Sequence, residues 1–356
     1  MNRKLPDLAL LIIFMIAITA PLIASPPSPG LIWRQVNSSE PNLSTLGLVK
    51  TWFEFPLAYS RYFDSHYLLH QTQVSAFQSV SHHLLHEKVF PNVLIAKQDW
   101  LYYTGENNIA DFECTAPFSA EELQTIRSQL LGWKAQLEER GIHFYVVIAP
   151  NKETIYPQYL PDQVQTGRKG CRIDQVMDVL QDASLSVLDL RAALQSAAQT
   201  DQVYHRTDTH WNDTGALLAA QMIMSLVSRD FSKVTSPTID DFYRDPQPFS
   251  GDLAAFLPPD DRFIEQAVFL RPSNPAAVKI EEGSDHTIIA SLPGSDLPTA
   301  LVFRDSFCDA LIPFLSAHFS RVVFASSFSV DLDLIDREKP DVVIFEIAQR
   351  YLTVLR

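Results

Sequence analysis

The chain has 356 residues, 46% of them hydrophobic and 20% charged, with a formal net charge of -14 and a pI near 5.1. That length and mix specify a folded protein with a sizeable core and exclude a disordered chain. The acidic balance, without any long run of Lys or Arg, argues against nucleic acid and anionic lipid as partners, because clustered cations bind both.

At the N-terminus, Arg3 and Lys4 precede an uncharged apolar stretch from Leu8 through Ala24. Such a stretch approaches the span of a bilayer core, with its cationic end on the cytoplasmic side. Residues 1–25 therefore read as a membrane anchor or a signal peptide, and the rest of the chain as exported. Pro21 directly after Ala20 makes a poor signal-peptidase site, which favours a single uncleaved anchor. Pro26, Pro27, Pro29 and Gly30 begin a stiff linker over 26–45. Residues 46–95 form a helical extension rich in aromatic side chains, among them Trp52, Phe63 and Phe77. Its His82 and His86 have i, i+4 spacing but no acidic third ligand nearby, so they read as surface histidines as well as they read as metal ligands.

Residues 96–356 read as the main domain. Asn92 to Tyr103 suggests a strand or hairpin leading into it. Ser119 to Arg140 is the clearest helix: Ser119 and Glu122 make a capping box, Leu123, Ile126, Leu130, Trp133 and Leu137 form one apolar stripe, and Gly141 ends it. His143 to Ala149 is an almost wholly apolar run, the mark of a parallel strand covered on both faces. A helix over Cys171–Ala183, a strand over Leu185–Leu190 and helices over Arg191–Ala198 and Asp213–Val227 follow. Residues 229–297 break into Pro, Asp and Ser with short apolar pieces, a loop-rich insertion of loops and small strands laid over the sheet edge or the site. Alternation then resumes with strand Thr299–Phe303, helix Ser306–Phe319, strand Arg321–Ala325, a short helix near Leu332–Arg337 and strand Asp341–Ile347. This pattern implies an α/β fold around a parallel sheet of about five strands, wound in both directions.

Cys114, Cys171 and Cys308 lack metal-ligand spacing, and in an exported protein one pair can oxidise. Cys114 with Cys171 is the favoured pairing, since both lie in loop-like sequence while Cys308 sits in a predicted helix. Sequence alone leaves the other pairings, and three free thiols, open.

The chemistry concentrates in Tyr204 to Gly215, where two histidines, two aspartates and an arginine fall in a polar segment just ahead of a helix. Asp208 and His210 are two apart, which in extended backbone places both side chains on one side. A carboxylate beside an imidazole sets its tautomer and supports its protonated form, as a general base requires. The nucleophile is sought after a strand, because ligands in open parallel sheets bind beyond the carboxyl ends. Ser306 follows strand Thr299–Phe303 at a predicted helix start, where backbone N–H groups and the helix dipole favour an oxyanion. The plain alternative is that Ser306 and Asp309 form an ordinary capping box and that Asp208 and His210 are structural. Asn151 and Lys152, at a strand end, are candidates for oxyanion or sugar contacts, Arg304 and Asp305 for lining the pocket, and Trp211 for stacking on a sugar or filling the core.

Thr-Asp-Thr-His-Trp-Asn (207–212) followed by Gly215 and Ala216, Asp305-Ser306-Phe307 after a strand, and the closing Lys-Pro-Asp-Val-Val-Ile-Phe-Glu (339–346) with Arg350, Tyr351 and Leu352 together resemble the AlgX/AlgJ group of polysaccharide O-acetyltransferases. Ile148 to Pro161 and Trp100-Leu101-Tyr102 fit the same resemblance, which spans about Ala96 to Leu352. It implies an SGNH-hydrolase-like three-layer domain behind an N-terminal transmembrane helix, with Asp208, His210 and Ser306 as the triad. It further implies acetyl transfer to a polysaccharide such as alginate on the periplasmic side of a membrane, with a membrane-bound acyltransferase as acetyl donor. No carbohydrate-binding module is recognised, which sets the chain nearer the AlgJ type. Arg304 stands where the family usually has glycine, so either the oxyanion-hole geometry or its donor is expected to differ. Rival readings are an acetylesterase of the same fold, a non-catalytic glycan-binding scaffold of an export complex, and a metal hydrolase on His205, Asp208 and His210. The leading reading needs neither metal nor cofactor.

Overall fold

The apolar runs become strands because β-branched and aromatic side chains fit a pleated surface buried on both faces. A computed structural model describes residues 89–356, apart from Pro91, 167–169, 181–183 and 284–286. The expected anchor over 1–25, the linker over 26–45 and the helical extension as far as 88, with His82 and His86, lie outside the described residues. Among the described residues no helix is long and apolar enough to cross a membrane.

Val89–Phe90 (β1), Val93–Ile95 (β2) and Leu101–Tyr103 (β3) form a small antiparallel sheet, so the end of the segment assigned to the helical extension is strand. Helix Ala120–Glu138 (α1) carries the reciprocal capping box of Ser119 and Glu122. His143–Ala149 (β4), helix Arg172–Leu180 (α2), Ser186–Asp189 (β5), helix Arg191–Ala197 (α3) and helix Asp213–Val227 (α4) follow. Cys114 and Cys171 pair as a disulfide, and Cys308 is free and buried.

The region 229–297 holds a two-stranded ribbon, Phe242–Phe249 (β6) with Glu265–Pro272 (β7), and a hairpin, Lys279–Glu282 (β8) with Ile288–Ser291 (β9). Thr299–Arg304 (β10), Arg321–Ser326 (β11), helix Leu332–Glu338 (α5) and Val342–Ala348 (β12) complete the chain.

The main sheet runs β5-β4-β12-β10-β11-β9-β8. Its first five members are parallel, as the alternation implies, but β9 adds to β11 antiparallel and β8 to β9. The sheet is therefore mixed and seven-stranded rather than parallel and five-stranded. The reason is local: β8 is exposed throughout and its sequence alternates too weakly to read as a strand. In β6, Pro246 and Pro248 interrupt the run, which a two-stranded ribbon tolerates because each strand has a free edge.

Successive residues of each central strand point to opposite layers. Tyr145, Val147 and Ala149 of β4 and Ala300 and Val302 of β10 pack with Ala216, Ala220 and Ile223 of α4. Phe144, Val146, Ile148, Leu301 and Phe303 pack instead with Ile126, Leu130 and Leu137 of α1 and Val176 of α2. A three-layer α/β/α core results. The helix expected over Ser306–Phe319 is a 3-10 turn, Ser306–Leu311, followed by one short α-helical stretch, Ile312–Leu315. Pro313 has no N–H to return to the preceding turn, so one continuous α-helix cannot form there.

Candidate active site

β10 delivers Ser306 to the carboxyl edge of the sheet. The residues around it, Arg304, Asp305, Phe307 and Cys308, are buried, while Ser306 itself is exposed. The cap of the turn is Asp305 rather than Ser306. The Asp305 carboxylate accepts the N–H of Phe307 at 2.8 Å and the N–H of Ala348, at the end of β12, at 2.7 Å. The Asp305 N–H donates in turn to Glu346 at 3.2 Å. Burial raises both carboxyls, and the neighbouring Asp305 carboxyl raises Glu346 further. Asp305 is thus the fastener between β10 and β12 and not a lining group. Arg304 is buried, pairs with Asp309 at 2.6 Å and donates to the Asp305 carbonyl.

Asp208 and His210 arrive from the irregular segment between α3 and α4. A single antiparallel bridge, Tyr204 with Trp211, closes it, and the backbone between them is bent, not extended. The two side chains meet because Asp208 Oδ1 accepts the backbone N–H of His210 at 2.9 Å, an Asx turn, and also faces Nδ1 at 2.7 Å. The network assigns the ring proton to Nδ1, leaving Nε2 to accept from Ser306 Oγ at 2.8 Å. Burial works to raise the Asp208 carboxyl, but the bond and charge of His210 with the N–H groups of Asp252 and His210 hold it well below the carboxylate range. Ser306, His210 and Asp208 are therefore brought together in one hydroxyl–imidazole–carboxylate relay.

The loop is held from both sides. Lys152, buried at the end of β4, donates to the carbonyls of His205, Arg206 and Asp208 at 3.1, 3.3 and 2.5 Å and lies over the rings of Trp100 and Tyr102. Burial lowers its ammonium to about 8. Glu265, on β7, accepts the N–H of Arg206, the N–H of Thr207 and the Thr207 hydroxyl at 3.0, 2.8 and 2.7 Å. Asp252 accepts both the N–H and the hydroxyl of Thr209 at 2.7 Å, and its own N–H donates to Asp208 Oδ2 at 2.8 Å. A Cβ on Gly251 would lie 2.5 Å from Asp208 Cβ and from the Thr207 carbonyl, so only glycine allows this approach.

Of the other sequence candidates, Lys152 is consumed as a brace and offers nothing to a ligand. Asn151 is buried and bonds Asn108, Gln349 and the Arg350 N–H. Trp211 is 1% exposed, donates to the Phe307 carbonyl at 3.0 Å and meets Phe307 edge-on. It is a core residue with no face for a sugar. Asn212 caps α4 through the Gly215 N–H. His205 packs its ring on Phe249 and is no member of the relay's hydrogen bonds. The only trio of metal-type donors among the described residues is Asp208, His210 and Asp252, and hydrogen bonds already occupy all three. Gly251, Asp252 and Glu265 are absent from the sequence reading. The one signal they offer is Ser-Gly-Asp (250–252) amid loop-like sequence.

An exposed serine at the carboxyl edge of an open α/β sheet, relayed through histidine to a buried aspartate, defines an SGNH-hydrolase-like domain. The family model for the SGNH hydrolase-like domain of the acetyltransferase AlgX matches residues 93–296, more than half of the chain, and the chain belongs to that family. The match includes Asp208 and His210 and ends before Ser306. The probable alginate O-acetylase AlgJ of Pseudomonas syringae pv. tomato is 30% identical over 176 residues, 49% of this chain and 43% of that protein. The AlgJ of Pseudomonas aeruginosa is 24% identical over 210 residues, 58% of this chain and 51% of its own. The chain thus spans about half the length of the curated relatives it matches. Among solved structures, Bacillus cereus PatB1 superposes with a TM-score of 0.56 at 17% identity, over 73% of this chain and 96% of that one. The O-acetyltransferase domain of Pseudomonas putida AlgJ gives 0.52 at 23%, over 74% and 93%. These likenesses show the fold.

Proposed function

We propose that this protein is an exported polysaccharide O-acetyltransferase that works through a Ser306 acetyl-enzyme. The observation that carries the reading is the 2.8 and 2.7 Å relay from Ser306 through His210 to Asp208, in a chain whose relatives are named as probable alginate O-acetylases. His210 Nε2 takes the Ser306 proton as Oγ bonds to the acetyl carbonyl carbon. The tetrahedral adduct collapses, its bond to the donor oxygen breaks, and His210 returns the proton to that leaving oxygen. A sugar hydroxyl then gives its proton to His210, attacks the acetyl-serine and leaves acetylated, restoring Ser306. Asp208 stays ionised throughout and stabilises the imidazolium.

The acceptor in this proposal is a uronate-type polysaccharide such as alginate, the donor is a membrane-bound acyltransferase, and the apolar segment over 1–25 keeps the domain at the outer face of the membrane. The test is turnover of a chromogenic acetyl ester by the chain and its Ser306→Ala variant, with intact mass to detect an added acetyl group. The expected result is activity and adduct that both vanish in the variant, and an added glycan that diverts acetyl from water. Turnover that survives Ser306→Ala sinks the reading, and turnover without diversion to any glycan converts it to an acetylesterase.

A further inference from the structure

The turn that carries Ser306 has already spent one of its oxyanion donors. The N–H of Phe307, the residue after the nucleophile, is held by the Asp305 carboxylate. The buried cations nearby differ in the same respect. Lys152 is committed to three carbonyls, and Arg304, whose Nε also lacks a partner, is paired with Asp309. Arg350 is 6% exposed, its Nε has no hydrogen-bond partner, and its guanidinium enters no ion pair among the described residues.

Arg350 follows β12, the direct neighbour of β10, and stands two residues past its strand as Ser306 stands two past β10. Its Cζ lies 5.0 Å from the centre of the Phe307 ring, 5.5 Å from Tyr103 and 5.1 Å from Tyr351. The same Phe307 ring packs on His210, with centroids 4.8 Å apart. The backbone N–H of Arg350 is pinned by Asn151, so the position is fixed from the β4 side as well. The charge of Arg350 is felt by the Asp305 and Glu153 carboxyls, but neither pairs with it directly. A buried cation in no direct ion pair is costly to keep, and such groups concentrate where a reaction develops the opposite charge.

We propose that Arg350 is the cationic oxyanion donor of the site, a role that rests on Ser306 being the nucleophile. As Oγ bonds to the acetyl carbon, the carbonyl π pair moves onto oxygen, and the guanidinium donates hydrogen bonds to that alkoxide until it collapses. Guanidinium suits the task because it stays charged and presents several N–H groups in one plane. Its charge replaces the donor lost to Asp305 and meets the sequence expectation of an unusual oxyanion donor beside Arg304.

The experiment uses the full chain, a neutral acetyl ester and three variants. Arg350→Gln is expected to lower kcat about 10²–10³-fold with KM nearly unchanged, the size of losing one oxyanion donor. Arg350→Ala is expected to regain part of its rate on addition of guanidinium at concentrations that leave it folded, and Arg350→Lys to fall between Gln and wild type. A kcat for Arg350→Gln within a fewfold of wild type overturns the proposal. So does an effect confined to KM for anionic acceptors, or a loss in Arg350→Ala that guanidinium never restores while Lys does no better than Gln. Failure of the underlying reading is separate, because it shows as turnover that survives Ser306→Ala.

Discussion

Ser306 reaches the cleft from a buried strand, whereas Asp208 and His210 reach it from a bent loop, and the two regions are held in place by different means. The Ser306 turn is fixed by neighbours: β10 sits between β12 and β11, and Asp305 ties the turn to the end of β12. The Asp208 loop has no ladder of its own beyond one bridge. Its carbonyls are gathered by Lys152 and its amides by Glu265 and Asp252, side chains far away in sequence. A strand end inherits its precision from the sheet, while a loop must have each backbone group satisfied one at a time.

The strongest challenge to that contrast is Lys152→Met, which keeps side-chain volume and removes the donor to three backbone carbonyls. The expected loss is about 3–5 kcal/mol of unfolding free energy, the cost of breaking a buried charged network from one side. Urea unfolding of the variant measures it. On the Ser306 side Glu346→Gln retains a carbonyl oxygen for the Asp305 N–H and should cost about 1 kcal/mol or less. Equal losses at the two positions would erase the distinction.

A second test uses the acid between the two regions. Glu153 is buried beside Lys152, and burial raises its carboxyl from 4.5 to about 7, against the attraction of the Lys152 and Arg350 charges. Between those values the folded protein holds a proton that the unfolded chain has released, so stability falls as pH rises through the window. The fall is on the order of 3 kcal/mol. Lys152 acts in another window: its lowered value makes stability climb from about 8 toward 10.5. Unfolding midpoints at about pH 5 and about pH 7 should differ in the wild type and converge in Glu153→Gln. A slope that persists in the variant assigns the proton elsewhere.

The same division governed what could be read from the chain. The five parallel strands were legible because β4, β10 and β12 are continuous apolar runs with chemistry-bearing residues at their ends, and Ser306 was found by that rule. Asp208 and His210 were found by residue type, though the expected extended backbone is an Asx turn instead. Trp211 read equally as a sugar platform or as core, because an aromatic ring beside a polar motif carries no mark of its burial. Gly251, Asp252 and Glu265 escaped because their role exists only once the insertion folds back over the loop 40 to 60 residues earlier, and no local periodicity records such a contact. Small strands were expected in the insertion, but not that β8 and β9 extend the main sheet: β8 is exposed throughout and β9 is only four residues long, so neither reads as a sheet member.

A last expected effect isolates geometry from stability. At Gly251→Ala the new Cβ would sit 2.5 Å from Asp208 Cβ and from the Thr207 carbonyl oxygen, closer than atoms can approach, and the latter is backbone that cannot swing aside. Either the Gly251–Asp252 segment or the Asp208 turn must yield by several tenths of an ångström. The Asp252 N–H bond to Asp208 Oδ2 then lengthens, and with it the aim of His210 at Ser306. Misplacement on this scale is expected to cost about 10²-fold in turnover of an acetyl ester. Stability should change little, since Lys152 and Glu265 still hold the segment from 205 to 208. Activity within threefold of wild type would mean that the insertion merely covers the loop and that Lys152 alone sets its position, whereas a large loss at an unchanged unfolding midpoint assigns the aim of the base to a residue 41 positions beyond it.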